Sequence, residues 1–344
     1  MIKVVKEGVI LEITNLEFEN EGVLNPAVLQ EGNTVHVFYR AVRTGNNSTI
    51  GYAKLDGPLK VVERNTKPLI APTMPEETQG VEDARIVKIA DQYFMTYTAY
   101  DGKNPLGAYA TSQNLIDFEK HGILTARIPL KNAIKLLKEN AEDNKLYIDF
   151  LSHQIEAEEE KSKRLLPDKN LILFPRKING NFVLLHRIKP AMQIVQVSDL
   201  GELTAEFWID KIKNLNKSTF LAPVHDHENA YLGGGCPPIV TDEGWLVIYH
   251  GVTKTEEGNV YNACVALFDI SNPQKEIARL PYPLFSPEEV WERNGYVNNV
   301  VFPTGTSLFD DRLYIYYGAA DDCIAVASVD LSELTAELLN YKKE

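Results

Sequence analysis

A polar turn followed by a run rich in β-branched and aromatic residues recurs five times along the chain. Each run has an apolar strand pattern before the turn and another after it, so the repeating unit is strand, turn, strand, loop and strand. The turns and their runs are 31–33 with 35–40, 90–92 with 93–98, 179–181 with 182–187, 242–244 with 245–250, and 310–312 with 313–318.

The flanking strands complete the same unit in all five copies. The strand before the turn is predicted at 26–29, 85–89, 173–178, 238–240 and 304–308, and the strand after it at 50–55, 107–111, 193–197, 263–268 and 324–329. Such units, repeated at intervals of roughly 60–90 residues, are typical of propeller blades. The sequence therefore predicts an all-β, five-bladed β-propeller that forms a single domain over residues 1–344. A β-sandwich is the competing fold, but it does not require the same unit five times.

One segment departs from this pattern. Residues 131–168 are rich in Glu, Lys and Leu, with Ile148 and Leu151 at helical spacing. This segment is predicted to be a helical insertion between blades two and three. The tail, 331–343, is predicted to form either a short amphipathic helix or a last outer strand.

Charge and cysteine content exclude several classes of partner. A formal net charge of −13 argues against nucleic acid or an anionic membrane, although a small anion needs only a local basic pocket. Cys236, Cys264 and Cys323 lack the spacing of a zinc site or a disulfide framework and are predicted to be buried thiols. The first residues lack the apolar core of a signal peptide, and no apolar run reaches the roughly 18 residues of a membrane helix. A cytoplasmic protein without a cofactor is expected.

Three ionisable side chains stand together in residues 80–85 (GVEDAR). In a regular strand successive side chains alternate, so that Glu82 and Ala84 point one way and Asp83 and Arg85 the other. If this face lines a cleft, a cation two residues from Asp83 can tune its pKa. A solvated strand end with a local ion pair accounts for the same residues equally well.

Polar residues at equivalent places in successive blades of a propeller converge at one mouth of its central channel. The residues at such places are Asn25, Asp83, Arg187, His250 and Asp321, with Arg40, Lys169 and Tyr261 on the same strands or loops. Carboxylates, cations, a histidine and hydrogen-bonding groups together suit a sugar plus an oxyanion better than an apolar ligand.

Eight short motifs lie along the same strands and loops. They are Asn25-Pro26, Phe38-Tyr39-Arg40, Gly80-x-Glu82-Asp83-x-Arg85, Leu173-Phe174-Pro175, His186-Arg187, residues 233–238 (GGGCPP), residues 244–252 (GWLVIYHGV) and residues 317–321 (YGAAD). In this order they resemble glycoside hydrolase family 130, the β-mannoside phosphorylases and related β-mannosidases. The resemblance runs from about residue 24 to about residue 322 without the insertion, and it implies the five-bladed propeller that the repeats predict.

The resemblance also implies a reaction and a role for each site residue. It implies inverting cleavage of a β-mannoside, with Asp83 as the general acid that passes its proton through the sugar 3-hydroxyl. The residues implied to hold the sugar are Asn25, Arg40, Glu82 and Asp321. The residues implied to bind inorganic phosphate, the co-substrate, are Lys169, Arg187, His250 and Tyr261. Phosphate held in line by convergent donors can attack the sugar, giving α-mannose 1-phosphate and a shortened sugar.

Two positions depart from the family pattern. Lys169 stands where phosphorylases usually have an arginine, which keeps the charge but loses the planar fork. Tyr231 stands where they usually have a lysine, which removes a cation. Phosphate affinity is expected to fall by roughly ten- to a hundredfold, the value of one charged hydrogen bond, without being lost.

Other uses of the same site stay open. Water could replace phosphate if a second carboxylate, commonly roughly 6.5–9.5 Å from the acid, acted as base. Residues 225–228 (HDHE) offer Glu228, which is preferred, and Asp226. The same cluster could bind a metal or form a polar surface loop, and no metal is predicted. A propeller that only binds glycans is a third alternative. The β-1,2 or β-1,4 linkage, the acceptor sugar and a homo-oligomeric state are not determined by the sequence.

Overall fold

The computed structural model describes residues 2–157 and 164–343. Its strands form five units that are antiparallel within themselves and are numbered here in chain order. Units 1 and 2 belong to one sheet, joined by a single parallel pair between Ser48 and Gly80. The N-terminal strand β1 (Val5–Leu11) belongs to the last unit. Unit 1 contains β2 (Gly22–Glu31), β3 (Thr34–Arg43), β4 (Asn47–Asp56) and β5 (Lys60–Arg64). Unit 2 contains β6 (Gly80–Ile89), β7 (Gln92–Tyr100), β8 (Pro105–Ser112) and β9 (Glu119–Ile123).

Units 3 to 5 repeat the arrangement. Unit 3 contains β10 (Lys169–Leu173), β11 (Phe182–Arg187), β12 (Met192–Val197) and β13 (Thr219–Leu221). Unit 4 contains β14 (Tyr231–Gly234), β15 (Ile239–Thr241), β16 (Gly244–Thr255), β17 (Gly258–Phe268) and β18 (Glu276–Arg279). Unit 5 contains β19 (Val301–Phe309), β20 (Arg312–Ala319) and β21 (Cys323–Asp330), with β1 paired antiparallel to β21.

The chain is mostly β structure, as predicted, and the five predicted runs all coincide with the central strands β3, β7, β11, β16 and β20. One predicted boundary is wrong. The first strand of unit 3 ends at Leu173, whereas the sequence pattern places a strand at 173–178. Pro175 has no backbone N–H to donate to a neighbouring strand, so pairing cannot continue through it.

Two helices occupy the described part of the predicted insertion, α1 (Leu130–Leu137) and α2 (Lys145–Ala157). Residues 158–163 of the insertion lie outside the described residues. A third helix, α3 (Ala205–Lys213), packs against α1, and Trp208 on it donates a 2.7 Å hydrogen bond to the carbonyl of Leu124. After α4 (Val290–Arg293), the tail forms the helix α5 (Leu331–Leu339), so the helical alternative for the tail is correct. The outer strand of unit 5 is β1 instead.

Five hydrophobic clusters form the core, and each lies between two units. Units 1 and 2 meet around Phe38 and Met95, units 2 and 3 around Phe94 and Leu184, units 3 and 4 around Phe174 and Trp245, units 4 and 5 around Leu246 and Ile315, and units 5 and 1 around Tyr316 and Val37. Each unit therefore packs against the next, and the fifth packs against the first.

A buried glutamate bonded to a tyrosine recurs in four units. The pairs are Glu19–Tyr39 (2.7 Å), Glu77–Tyr97 (2.8 Å), Glu228–Tyr249 (2.5 Å) and Glu292–Tyr317 (2.6 Å), with the hydroxyl donating in each case. Each glutamate also meets a cation, namely Arg64, Lys120, Arg279 and Lys6 in the same order. In unit 3 the pair is Asp168 and His186, 2.9 Å apart. All five carboxylates are fully buried. This repetition identifies the pairs as a structural feature of the fold.

The three cysteines are buried free thiols, as predicted. Within the described residues, none of the helices combines the length and the apolar character that crossing a membrane requires. The cytoplasmic location and the homo-oligomeric state stay predictions.

Candidate active site

The first strands of units 1, 2 and 3 share a β-bulge centred on a left-handed residue. That residue is Asn25 in β2, Asp83 in β6 and Asn170 in β10, with φ angles of 50°, 51° and 53°. The strand register shifts across each of them. Asn and Asp adopt this conformation more readily than other residues that carry a side chain. Asp321 has the same conformation in the turn between β20 and β21, and all four residues line one cavity.

This cavity has a volume of about 320 Å³. Seven of the ten predicted site residues line it, namely Asn25, Arg40, Asp83, Lys169, Arg187, Tyr261 and Asp321. The other lining residues are Asn170, Lys189, Tyr231, Val297, Val300 and Phe302. Among these described residues four side chains are cationic and two are carboxylates, which leaves a formal excess of two positive charges. In a chain with a net charge of −13, this local excess favours an anionic ligand.

Asp83 lies in a cluster of ion pairs. Its Oδ1 accepts a 2.7 Å hydrogen bond from Asn25 Nδ2 and lies 3.5 Å from Arg40 Nη1. Its Oδ2 lies 3.7 Å from Lys169 Nζ. Glu82 reaches the same two cations, with Oε1 at 2.9 Å from Arg40 Nη2 and Oε2 at 3.6 Å from Lys169 Nζ. Both cations are therefore balanced by carboxylates.

The predicted alternation of Glu82 and Asp83 is wrong. The bulge at Asp83 interrupts the two-residue period of the strand, so both carboxylates reach the same two cations. Arg85 is buried and donates to the backbone carbonyl of Gly235 and, at 2.9 Å, to the backbone carbonyl of Asp83. It therefore ties unit 2 to unit 4 and does not contact the carboxylate of Asp83.

The two carboxyl groups of the cavity differ in acidity. Burial alone would raise the pKa of Asp83, but Lys169, Arg40 and the hydrogen bond from Asn25 outweigh it and hold that pKa below its ordinary value. Asp83 is therefore ionised in the free protein. Burial raises the pKa of Asp321 to about 6, although the charge of Arg40 opposes the change. Asp321 is thus the carboxyl group that carries a proton at weakly acidic pH.

Arg187, at the end of β11, forms a second polar group in the cavity. Its Nη1 donates a 3.3 Å hydrogen bond to Nε2 of His250. Burial lowers the pKa of His250 well below its ordinary value, and Arg187 and Arg85 add to this effect, so the ring is neutral and accepts the bond. His250 is fully buried and supports Arg187 without lining the cavity. Tyr261 lines the cavity, with its hydroxyl 2.7 Å from that of Tyr231.

Three buried polar atoms of the cavity residues have no hydrogen-bond partner among the described residues, namely Asn25 Oδ1, Asn170 Oδ1 and Arg187 Nε. Buried polar groups are normally paired, so unpaired ones at a cavity indicate a polar ligand. A sugar hydroxyl can donate to an amide oxygen, and a phosphate oxygen can accept from a guanidinium N–H.

Two glycines leave room for these side chains. A Cβ on Gly233 would come within 2.7 Å of both Arg187 Cδ and the ring of His250. A Cβ on Gly318 would come within 2.2 Å of Asn25 Oδ1. Both positions therefore need a residue without a side chain if Arg187 and Asn25 are to keep their places.

The structure does not bring Glu228 to this cavity. Its Oε2 accepts a 2.9 Å hydrogen bond from the backbone N–H of Val224 and lies 3.2 Å from Arg279 Nη1, while Oε1 accepts from Tyr249. It is the unit 4 member of the repeated glutamate–tyrosine pairs, which argues against its predicted role as a base. Asp226 is exposed to solvent. In the described ranges, no three metal-ligating side chains come together.

Glu82 lines a neighbouring cavity of about 350 Å³, which shares Arg40 and Lys169 with the first and includes Gln154 of α2. Asn170 and Lys189 line the main cavity but belong to none of the predicted site residues. The sequence repeat could have identified Asn170, because this residue has the position in unit 3 that Asn25 and Asp83 have in units 1 and 2. The repeat could not have identified Lys189, since it follows a central strand at a position without counterparts in the repeat.

Comparisons with known proteins show which family the chain is similar to. A family model described as beta-1,4-mannooligosaccharide phosphorylase matches residues 5–340. The 1,2-beta-oligomannan phosphorylase of Thermoanaerobacter sp. (strain X514) is 32% identical over 329 residues, which cover 92% of this chain and 93% of that protein. The beta-1,2-mannobiose phosphorylase of the same strain is 34% identical over 330 residues, covering 91% and 92%.

A solved structure shows the shared fold. The beta-1,2-mannobiose phosphorylase from Listeria innocua, in complex with beta-1,2-mannobiose, superimposes with a TM-score of 0.73 at 21% identity, covering 98% of this chain and 99% of that one. These matches place the chain among the carbohydrate-active enzymes. It belongs to glycoside hydrolase family 130.

Proposed function

We propose that this protein cleaves β-mannosides by phosphorolysis with inversion, giving α-mannose 1-phosphate and a shortened sugar. The observation that carries the proposal is the cavity, in which the Asp83 cluster and Arg187 share one space with an excess of positive charge. Three relatives that match more than nine tenths of the chain are all named as phosphorylases, which supports the same reaction here.

The polar groups of the cavity have separate roles, since some bind the mannose and Arg187 binds the phosphate. Asn25, Asn170 and Asp321 bind the hydroxyls of the reacting mannose, since they offer amide and carboxyl oxygens at the cavity wall. Arg187 holds phosphate through two parallel hydrogen bonds and orients an oxygen toward the anomeric carbon. In-line positioning of two bound reactants can itself lower the barrier by several kcal/mol, on the order of 7–11 at best.

The proton balance closes within the bound reactants. Hydrogenphosphate loses a proton when its oxygen bonds to the anomeric carbon, and the leaving sugar oxygen gains one. Asp83 is ionised in the free protein, and it must be protonated before the sugar leaves. Negative charge brought by phosphate offsets the field of Lys169 and Arg40 and so favours the protonated form of Asp83. The proton then passes through the sugar 3-hydroxyl, the route that the family resemblance implies.

We also propose that the substrates carry β-1,2 linkages, because three relatives that match more than nine tenths of the chain are all named for that linkage. The shortened sugar would leave through the neighbouring cavity lined by Glu82, Lys103 and Gln154, which joins the main cavity at Arg40 and Lys169. In this proposal the helical insertion, through α2, contributes to recognition of the acceptor sugar.

The fold proposed for this activity is the five-bladed β-propeller, in one domain over residues 1–344. Its support is the closed sequence of packed units, in which the fifth unit packs against the first and is completed by the N-terminal strand β1. The four left-handed residues of the cavity come from three first strands and one turn of unit 5, as convergence on a central axis requires.

The test is to incubate the enzyme with β-1,2- and β-1,4-mannobiose, with and without phosphate, and to identify the products. We expect α-mannose 1-phosphate from the β-1,2 substrate only when phosphate is present. Arg187→Ala should abolish the stimulation by phosphate, whereas Arg127→Ala, at a residue more than half exposed, should not. Free mannose formed equally fast without phosphate would show hydrolysis, and sugar binding without turnover would show a glycan-binding protein.

A further inference from the structure

Lys189 lies next to Tyr231. Tyr231 stands at the position at which family phosphorylases usually have a lysine. The Nζ of Lys189 lies 3.4 Å from the centre of the Tyr231 ring, and Lys189 lines the main cavity with Arg187. The guanidinium carbon of Arg187 lies 5.5 Å from the same ring. One aromatic ring therefore attracts two cations, as the negative face of a ring does.

The two cations at this ring differ from the other two of the cavity. Arg40 and Lys169 form ion pairs with Glu82 and Asp83. Within the part of the chain that the structure describes, neither Arg187 nor Lys189 forms an ion pair with a carboxylate. Both side chains are half-buried, and a cation partly withdrawn from water without a counter-ion is unfavourable unless an anion binds to it. The free positive charge of the cavity is thus concentrated at Tyr231.

The turn that carries Lys189 is held firmly. The carbonyl of Pro190 accepts a 3.1 Å hydrogen bond from the backbone N–H of Leu232, which places Lys189 beside the strand of Tyr231. Gln193, fully buried, accepts from the backbone N–H of Ile188 at 2.6 Å and donates to the carbonyls of Ile188 and Ala191, each at 3.0 Å. The ammonium group is therefore presented by a fixed backbone.

We propose that Lys189 binds the phosphate co-substrate together with Arg187, and that it replaces from the neighbouring turn the cation that position 231 lacks. This inference rests on the proposed phosphorolysis and names a further residue of its phosphate site. Tyr231 then serves as the platform that holds both cations, and its hydroxyl bonds to Tyr261. Lys189 thereby compensates for the loss of phosphate affinity that is expected from a tyrosine at position 231.

The electrostatics support this assignment. Burial, with Arg187 and Lys169 adding to it, lowers the pKa of Lys189 well below its ordinary value. A dianion bound between Arg187 and Lys189 offsets the repulsion between them and favours the charged ammonium. Phosphate binding and the protonation of Lys189 therefore reinforce each other.

The experiment compares Lys189→Met with the wild type and with Lys254→Met, a matched change at an exposed lysine. We expect the KM for phosphate to rise about ten- to a hundredfold in Lys189→Met, with the KM for mannoside and kcat at saturating phosphate close to wild type. Titration calorimetry with inorganic phosphate should show the same loss of affinity. Lys254→Met should change neither.

A second variant separates a direct contact from a packing effect. Adding Tyr231→Lys to Lys189→Met returns a cation to the cavity from position 231 and should recover most of the phosphate affinity. A KM for phosphate that stays at the wild-type value in Lys189→Met refutes the inference, as does failure of the double variant to recover. If the wild type turns mannosides over without phosphate, the proposed function fails. The calorimetric comparison then decides whether Lys189 binds the anion.

Discussion

A structural role and a catalytic role of Glu228 predict clearly different effects of replacing its buried carboxylate. Replacing it with glutamine keeps its shape but removes its charge. Glu228 accepts from the backbone N–H of Val224 and from Tyr249, and it pairs with Arg279, whose side chain is only 4% exposed. We expect Glu228→Gln to destabilise the fold and to leave turnover per folded molecule unchanged.

The loss of stability in Glu228→Gln depends on the contacts that the neighbouring residues retain. Removing one partner of a buried ion pair typically costs about 3–5 kcal/mol. Arg279 retains Glu276, at 2.8 Å, and the glutamine oxygen can still accept one hydrogen bond, so we expect a loss of about 2–3 kcal/mol. The unfolding entropy is about 2.1 cal/mol/K per residue, or roughly 0.7 kcal/mol/K for 344 residues. The Tm should therefore fall by about 3–4 °C.

The assay pairs thermal unfolding with product analysis at a temperature well below the Tm. Glu77→Gln is the matched control, because Glu77 makes the same contacts in unit 2, with Tyr97 and Lys120. Glu77→Gln should also lower the Tm and spare turnover. If Glu228 were the base of a hydrolase, turnover would fall about 10²–10⁴-fold while the Tm stayed constant. That result for Glu228→Gln alone would refute the structural assignment.

The remaining predictions concern the cavity carboxylates. Asp83→Asn should lower turnover about 10²–10⁴-fold with the fold intact, because it removes the proposed acid. Circular dichroism tests the fold and product assays test turnover. Near-normal turnover would show that another residue is the acid. Asp321→Asn should raise the free energy of unfolding at pH 8, by up to about 3 kcal/mol, but not at pH 4. The reason is that a pKa raised to about 6 in the fold makes ionisation of Asp321 costly above pH 6, and each pKa unit corresponds to about 1.4 kcal/mol. Denaturant unfolding at both pH values measures the difference, and equal changes at the two would contradict it.

Local patterns in the sequence were sufficient to predict the central strand of each unit and most of the residues that line the cavity. The two-residue period and the polar turns act within a few residues, so β3, β7, β11, β16 and β20 could be located without any tertiary information. Repetition of the unit then aligned Asn25 and Asp83, because equivalent places in a repeat take equivalent positions in the fold. The motifs of the family placed Arg187 and Asp321 beside them.

Residues whose environment depends on distant contacts could not be assigned in this way. Glu228 is a candidate base in the sequence because hydrolysis needs a second carboxylate and residues 225–228 offer one. Its contacts with Tyr249 and Arg279, which favour a structural role, depend on residues that are distant in the sequence. The same holds for Glu82, which a regular strand would turn away from Asp83. A single bulge reverses its direction, and the bulge depends on pairing with β7.

The sequence by itself determined the central strands, the repeat and the family, since each of these depends on short-range patterns of residue type. The tertiary structure alone decided which charges meet. Lys189 and Tyr231 are 42 positions apart, and their contact depends on the hydrogen bond between Pro190 and Leu232. Electrostatic interactions fall off with distance in space and are indifferent to separation along the chain. The chemistry of the cavity therefore becomes visible only after the units have packed together.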